Sequence, residues 1–362
     1  SLEAALRDDD GDLLVQLEDG RQVPHAPLAV GQSVWEPAER YTLTRTGEHD
    51  YSLAHADGRT LDFSRVPRAA WSCPLVRLRD RNDNAITLMY DAGRLVGATD
   101  SAGRKLRFVH DHAGRLLGVR HHRGTTHGRW VELVRYAYDD RGQLAAAHDP
   151  KGRPFTYGYR GGVLVRETNR NGLSFHFEYD WDHPDGWCVR TWGDGGIYAR
   201  SLTYDKHRHV TLVDDSRGGR THYFGNLAGL VDRVLDPEGG EWRYEWHPEL
   251  LRKTAEVDPL GHRRTWEYDP RGNVVCVTDP LSQRTRWRYN DLDLPVEMVD
   301  ANGHAWRRAY DARGNLVRSV DPLGATYEYR HDRRGNLIEA RDPLGRSVRL
   351  SVDEASQVVA ST

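Results

Sequence analysis

The chain has 362 residues, 38% hydrophobic and 29% charged, and its 51 Lys and Arg against 54 Asp and Glu leave a formal net charge of -3. That balance excludes the basic surplus on which nucleic-acid binding depends, and with no apolar run of ~18 residues no membrane span is expected. A mean hydropathy of -0.75 is too low for a compact globule of this length, while 11 Trp and 17 Tyr exclude simple disorder, so we expect a thin, extended architecture with two wet faces.

Residues 1–84 read as a β-rich lead-in or cap. Leu13-Leu14-Val15-Gln16-Leu17, Tyr41-Thr42-Leu43-Thr44-Arg45 and Tyr51-Ser52-Leu53 have strand character, and Asp19-Gly20 and Asp57-Gly58 are turn signals. Pro24, Pro27, Pro37 and Pro67 rule out long helices; the only helical signal is a possible turn at Leu2 to Leu6. No signal peptide is read here, and Ser1 in place of a start methionine leads us to expect an excised piece of a longer polypeptide. Cys73, Cys188 and Cys276 are odd in number and widely spaced, which predicts plain thiols.

Residues 85–362 repeat. Early copies are irregular: Tyr90-Asp91, Tyr138-Asp139 and Tyr204-Asp205 recur, Asp149-Pro150-Lys151-Gly152 and Asp236-Pro237-Glu238-Gly239 mark turns, and Arg120 to Arg129 and Trp181 to Gly196 look like insertions. The C-terminal copies keep a strict beat. Asp258, Asp279, Asp300, Asp321 and Asp342 are 21 residues apart, each followed three positions on by Gly261, Ser282, Gly303, Gly324 or Gly345. Tyr268-Asp269 and Tyr310-Asp311 lead into Gly272-Asn273 and Gly314-Asn315.

A fixed period of this length means one supersecondary unit per repeat. Arg286-Trp287-Arg288-Tyr289 and Trp242-Arg243-Tyr244-Glu245-Trp246 alternate as strands do. Arg-Gly-Asn turns the chain within a repeat, where Gly and Asn both tolerate positive φ. Asp-Pro-x-Gly turns it between repeats, with Pro presetting φ. About a dozen hairpins give roughly two dozen strands, some 115 Å of sheet at ~4.8 Å per strand, and accumulated twist must bend it. The prediction is an all-β fold, a long curved antiparallel sheet. One face carries an aromatic row from Trp242 to Tyr310, which packs across strands; the other carries Arg243, Glu245, Glu267, Arg286 and Arg288.

Tyr-Asp-x-x-Gly-Asn-Leu together with Asp-Pro-Leu-Gly resembles the YD repeats of bacterial Rhs proteins, which are shared with the C component of insecticidal toxin complexes, wall-associated toxins and teneurins. The lead-in segments Leu43-Thr44-Arg45-Thr46-Gly47 and Asp80 to Leu88 are similar to what precedes those repeats. The resemblance implies a partial β-cocoon, part of a shell that encapsulates a C-terminal toxin for interbacterial competition. It implies a toxin domain of the parent chain as partner, with a spike protein and an adaptor chaperone, synthesis in the bacterial cytoplasm, and secretion within a delivery complex such as type VI secretion. The family's self-cleavage mark resembles Asp-Pro-x-Gly-Leu; here His262, Ala325 and Arg346 follow Asp-Pro-Leu-Gly, so no catalytic residue is carried over and no autoproteolysis is expected.

Other chemistry reads weakly. His110, His112, His121, His122 and His127 match no standard metal spacing, and the Asp-Pro-x-Gly turns lack the further acids of a calcium loop. Asp214 and Asp215 are adjacent in a strand and point to opposite faces, so they do not converge on a glycosidic bond. We therefore expect a chain that is not an enzyme, with no cofactor or metal and with edge strands open to self-association. The alternative reading is a YD-repeat surface that binds carbohydrate or a receptor through its aromatic row.

Overall fold

The structure is a computed structural model that describes residues 5–9, 12–69, 73–123 and 128–362, with side chains from Leu13 onward. Among the described residues there are 34 strands and one three-residue 3-10 turn, Asp194–Gly196. The fold is all-β and antiparallel, as the alternation and the Gly/Pro punctuation predict. One local reading is corrected: Ala5 and Leu6 belong to the strand Ala5–Asp9, paired with Asp12–Gln16, and not to a helical turn. Leu2 lies outside the described residues. No helix is long and apolar enough to cross a membrane, which says nothing of strands.

Two compact units are present. The first contains residues 1–107, 248–252 and 265–362; the second contains 108–247 and 253–264. The first unit holds the dense core, and it lies in the lead-in. Tyr51 faces Phe63 and Phe63 faces Leu75 across three strands, while Leu43, Leu53 and Leu61 form the parallel row. All six are at most 3% exposed. Leu13 and Val15, on a strand of a second small sheet, are buried as well, and a cleft lined by Val15, Leu17, Leu53, Leu61 and Phe63 marks where the two sheets meet. The buried Tyr41 hydroxyl is satisfied by the His25 ring nitrogen at 2.7 Å.

The C-terminal repeats are thinner. Trp287 faces Met298, and Met298 faces Trp306, a half-buried thioether-aromatic stripe. The opposite face is not wholly wet. Cys276, in register with Glu267 and Arg286, is 5% exposed, and Ala255, opposite Glu245, is 1% exposed. Glu297 takes Arg288 and Arg307 at 2.9 Å each, yet such wet pairs stabilise little.

A β-bulge precedes the repeat tyrosine each time: the register shifts between Glu267 and Tyr268, Arg288 and Tyr289, and Ala309 and Tyr310. Turns of both classes close the same way, with the N–H of the residue in the glycine position donating to the Asp carbonyl and the Asp N–H donating to the carbonyl four residues on, as in Gly272 to Asp269 and Asp269 to Asn273. Of the two residues that tolerate positive φ, it is Gly272, Gly314 or Gly335 that adopts it, and the following Asn does not. Ser282 stands in the glycine position with φ 64°, where a Cβ is strained. Ser282→Gly is expected to raise stability by roughly 0.5–1 kcal/mol; a lower denaturation midpoint would contradict the turn assignment.

Candidate functional site

The residues singled out by the repeat are turn-builders. Asp258, Asp279, Asp300, Asp321 and Asp342 each direct Oδ1 at the backbone N–H groups two and four residues on, all between 2.8 and 2.9 Å. Asp269 and Asp311 do the same in the Tyr-Asp turns. Gly261, Gly303, Gly324 and Gly345 supply the positive φ. Side-chain oxygens that already accept turn N–H groups are poorly placed to bind calcium.

The remaining oxygen distinguishes the classes. Oδ2 of Asp258 and Asp300 meets His262 and His304 at 2.8 and 3.0 Å, whereas Oδ2 of Asp269 and Asp311 accepts from Asn273 and Asn315 at 2.9 Å. Desolvation raises the pKa of Asp258, Asp300, Asp311, Asp332 and Asp342, but the turn N–H groups and the Asn, His or Arg partner outweigh it and hold each below the usual carboxylate range. Folded-state values below the unfolded value mean stability that is present above about pH 4 and lost as pH falls through the lowered values. The melting temperature is expected to stay level down to about pH 4 and then drop; a level profile to about pH 2.5 would show that the turns do not depend on charged aspartates.

The Tyr-Asp edge of the first unit is clasped by the lead-in. Arg40 donates from Nε to the Arg271 carbonyl at 2.9 Å and from Nη2 to Asn273 Oδ1. Arg271 in turn lies over the Trp35 ring at 4.8 Å and is held by Asp293 at 2.6 and 2.7 Å. Arg81 Nη2 donates to both Ala56 and Leu292 carbonyls at 2.9 Å. Asn82 and Asn315 exchange two amide bonds, 2.9 and 3.1 Å, and Asn84 donates to the Arg334 carbonyl at 2.8 Å. A Cβ at Gly335 would strike Asn82, so the close approach as well as the backbone angle needs glycine there. The sequence pattern did not reveal this clasp, because tolerance of positive φ already accounted for the Asn after Gly.

The tyrosines are tethered too. The hydroxyls of Tyr90, Tyr289 and Tyr310 donate to the carbonyls of Leu75, Val274 and Pro295, each 15 residues back, at 2.7 to 3.1 Å. Tyr268 sits half-buried among them.

Catalytic arrangements are not assembled at the residues considered. Asp214 is taken up by Arg220 at 2.6 Å, and Asp215 Oδ1 caps a turn. His121 and His122 alternate along one strand, His122 edge-on to Trp130 at 5.2 Å, and His127 lies outside the described residues. Among the described residues no cluster of three His, Cys, Asp or Glu is spaced to hold a metal, and all three cysteines are free thiols. In the second unit a cleft of about 560 Å³ is lined by Tyr159, Arg166, His176, Glu178 and Trp192. His176 stacks on Trp192 at 5.3 Å and is held by Asp194 at 3.0 Å.

The RHS Repeat family model matches residues 272–305 and 310–347, and the Teneurin YD-shell model matches residues 81–182. Toxin protein Tse5 of Pseudomonas aeruginosa is 30% identical over 205 residues, 51% of this chain and 14% of that protein. Double-stranded DNA deaminase toxin A of Burkholderia cenocepacia is 28% identical over 65% of this chain and 15% of that protein. The chain therefore spans about one seventh of the curated relatives it matches. The crystal structure of TcdB2-TccC3-TEV aligns with 99% of this chain and 22% of its own at 11% identity and a TM-score of 0.48.

Proposed function

We propose that this run of RHS and YD-shell repeats is a non-catalytic stretch of wall in a β-shell that encloses the toxin domain of a longer parent polypeptide for delivery in interbacterial competition. The similarity to toxin proteins, together with the RHS Repeat match, carries this reading. The chemistry of the repeats supports it: their Asp, Asn, Arg and Tyr side chains bind one another and the backbone, as a wall requires, and do not converge on a substrate. On this reading the toxin domain is the principal partner, a spike protein and an adaptor chaperone escort the assembly, and the protein is made in the cytoplasm before export. The division into a lead-in, 1–84, and a repeat array, 85–362, is then one of roles: the lead-in supplies the core and the clasp, the array supplies area.

Protease protection tests it. In the parent polypeptide the toxin domain should resist digestion while the repeats are folded and become cleavable when Phe63→Ala unfolds them. Equal cleavage in both states would reject enclosure. A second reading, a carbohydrate-binding surface, is favoured by one observation, the His176–Trp192 stack beside Glu178 in the open cleft of the second unit. Glycan-array binding that disappears in Trp192→Ala would establish it; no binding by the intact chain would remove it.

A further inference from the structure

The near-balance of charge over the whole chain does not hold on one face of the first unit. Seven consecutive strands, Arg284–Tyr289 to Ser347–Val352, share a face whose charged residues follow a rule. Glu297 stands in register between Arg288 and Arg307, and Glu339 between Arg330 and Arg349. Glu328 stands likewise between Arg318 and Arg341. Arg284 and Arg286, on the first of the seven strands, have no acidic residue opposite them. Three acids against eight arginines leave the face five positive charges in excess.

The carboxylates are also the less accessible partners. Glu297 and Glu339 are 17% and 20% exposed, while the arginines that flank them, at 2.9 to 3.5 Å, are 62–78% exposed. All eight arginines are exposed, so what meets an approaching molecule is guanidinium. A ladder serving solubility or stability alone needs no surplus, because exposed pairs stabilise little and like charges repel.

The surplus fits one class of partner. A guanidinium holds a carboxylate with two parallel hydrogen bonds, as Arg271 holds Asp293 at 2.6 and 2.7 Å in this same unit. A nucleic-acid backbone fits less well. The acidic residue at the centre of each triad interrupts a continuous line of phosphates. With a net charge of -3 for the whole chain, the residues off this face are acidic in sum and offer a long polyanion nothing further. A compact acidic patch meets neither obstacle. Six strand spacings of ~4.8 Å and six residues of ~3.4 Å give a face of roughly 600 Å², a size approaching the roughly 800 Å² per partner of a standard interface.

We propose that this arginine face of the first unit is a docking surface for a carboxylate-rich polypeptide. Binding is electrostatic and weakens as salt screens the exposed charges.

Fluorescence anisotropy of labelled poly-L-glutamate, titrated with the intact chain at about 0.05 M and about 0.5 M salt, tests the proposal. Saturable binding at the lower salt, largely lost at the higher, is the expected result. Arg286→Gln/Arg318→Gln/Arg341→Gln should weaken it by roughly tenfold with an unchanged circular dichroism spectrum. The same number of charges removed elsewhere, in Arg120→Gln/Arg208→Gln/Arg217→Gln, should leave it nearly intact. No binding of the glutamate polymer, an equal loss in both triple variants, or tighter binding of a DNA duplex of matched charge would each overturn it.

Discussion

Phe63→Ala is expected to lower the stability of this chain by roughly 3–5 kcal/mol. Phe63 is 1% exposed and sits in register between Tyr51 and Leu75. Its removal leaves a ring-sized cavity lined by residues whose own strands are paired on both sides, so the site cannot collapse to refill it. The same truncation at Trp287 should cost less, because that ring is only half-buried. Chemical denaturation of the two variants decides the matter. A loss below about 1 kcal/mol for Phe63→Ala, or a greater loss for Trp287→Ala, would mean that the stability resides in the repeat ladder and not in the lead-in core.

Asn273→Ala should cost about 3 kcal/mol, and Asn336→Ala about 1 kcal/mol, although the two occupy the same repeat position. Asn273 is 5% exposed, with all its polar capacity engaged: Nδ2 donates to Asp269 and Asp293 at 2.9 and 2.8 Å, and Oδ1 accepts from Arg40. Without it the Arg40 guanidinium loses a partner in a partly desolvated place, where an unsatisfied donor costs more than the bond contributed. Asn336 bonds Asp332 and the Ser356 hydroxyl at 2.9 and 3.2 Å, and water can replace both. Equal losses in the two variants would show that Asn acts only within its own turn and that the clasp from the lead-in contributes nothing.

The strands, the turns and the relation to RHS and YD-shell repeats were legible because each is written locally. Two-residue alternation makes Arg284–Tyr289 a strand whatever surrounds it, and the Asp and Gly five-residue turn closes through atoms of the turn itself. The kinship of the two turn classes was not legible. Arg-Gly-Asn and Asp-Pro-Leu-Gly look different as strings but share one hydrogen-bond pattern, because backbone geometry depends on the Asp and the glycine position and not on what lies between.

By itself the sequence determined an all-β chain with a 21-residue beat, the turn residues of the regular repeats, and an aromatic face opposed to a charged one. These follow from interactions within about 20 residues. Only the tertiary structure decided where the packed core lies, which repeat asparagines are buried, and which turn edge is already occupied. Arg40 meets Asn273, and Asn82 meets Asn315, across 233 residues of chain. The repeat period is silent about such contacts, because it makes every copy look alike while burial depends on which copy a distant segment reaches.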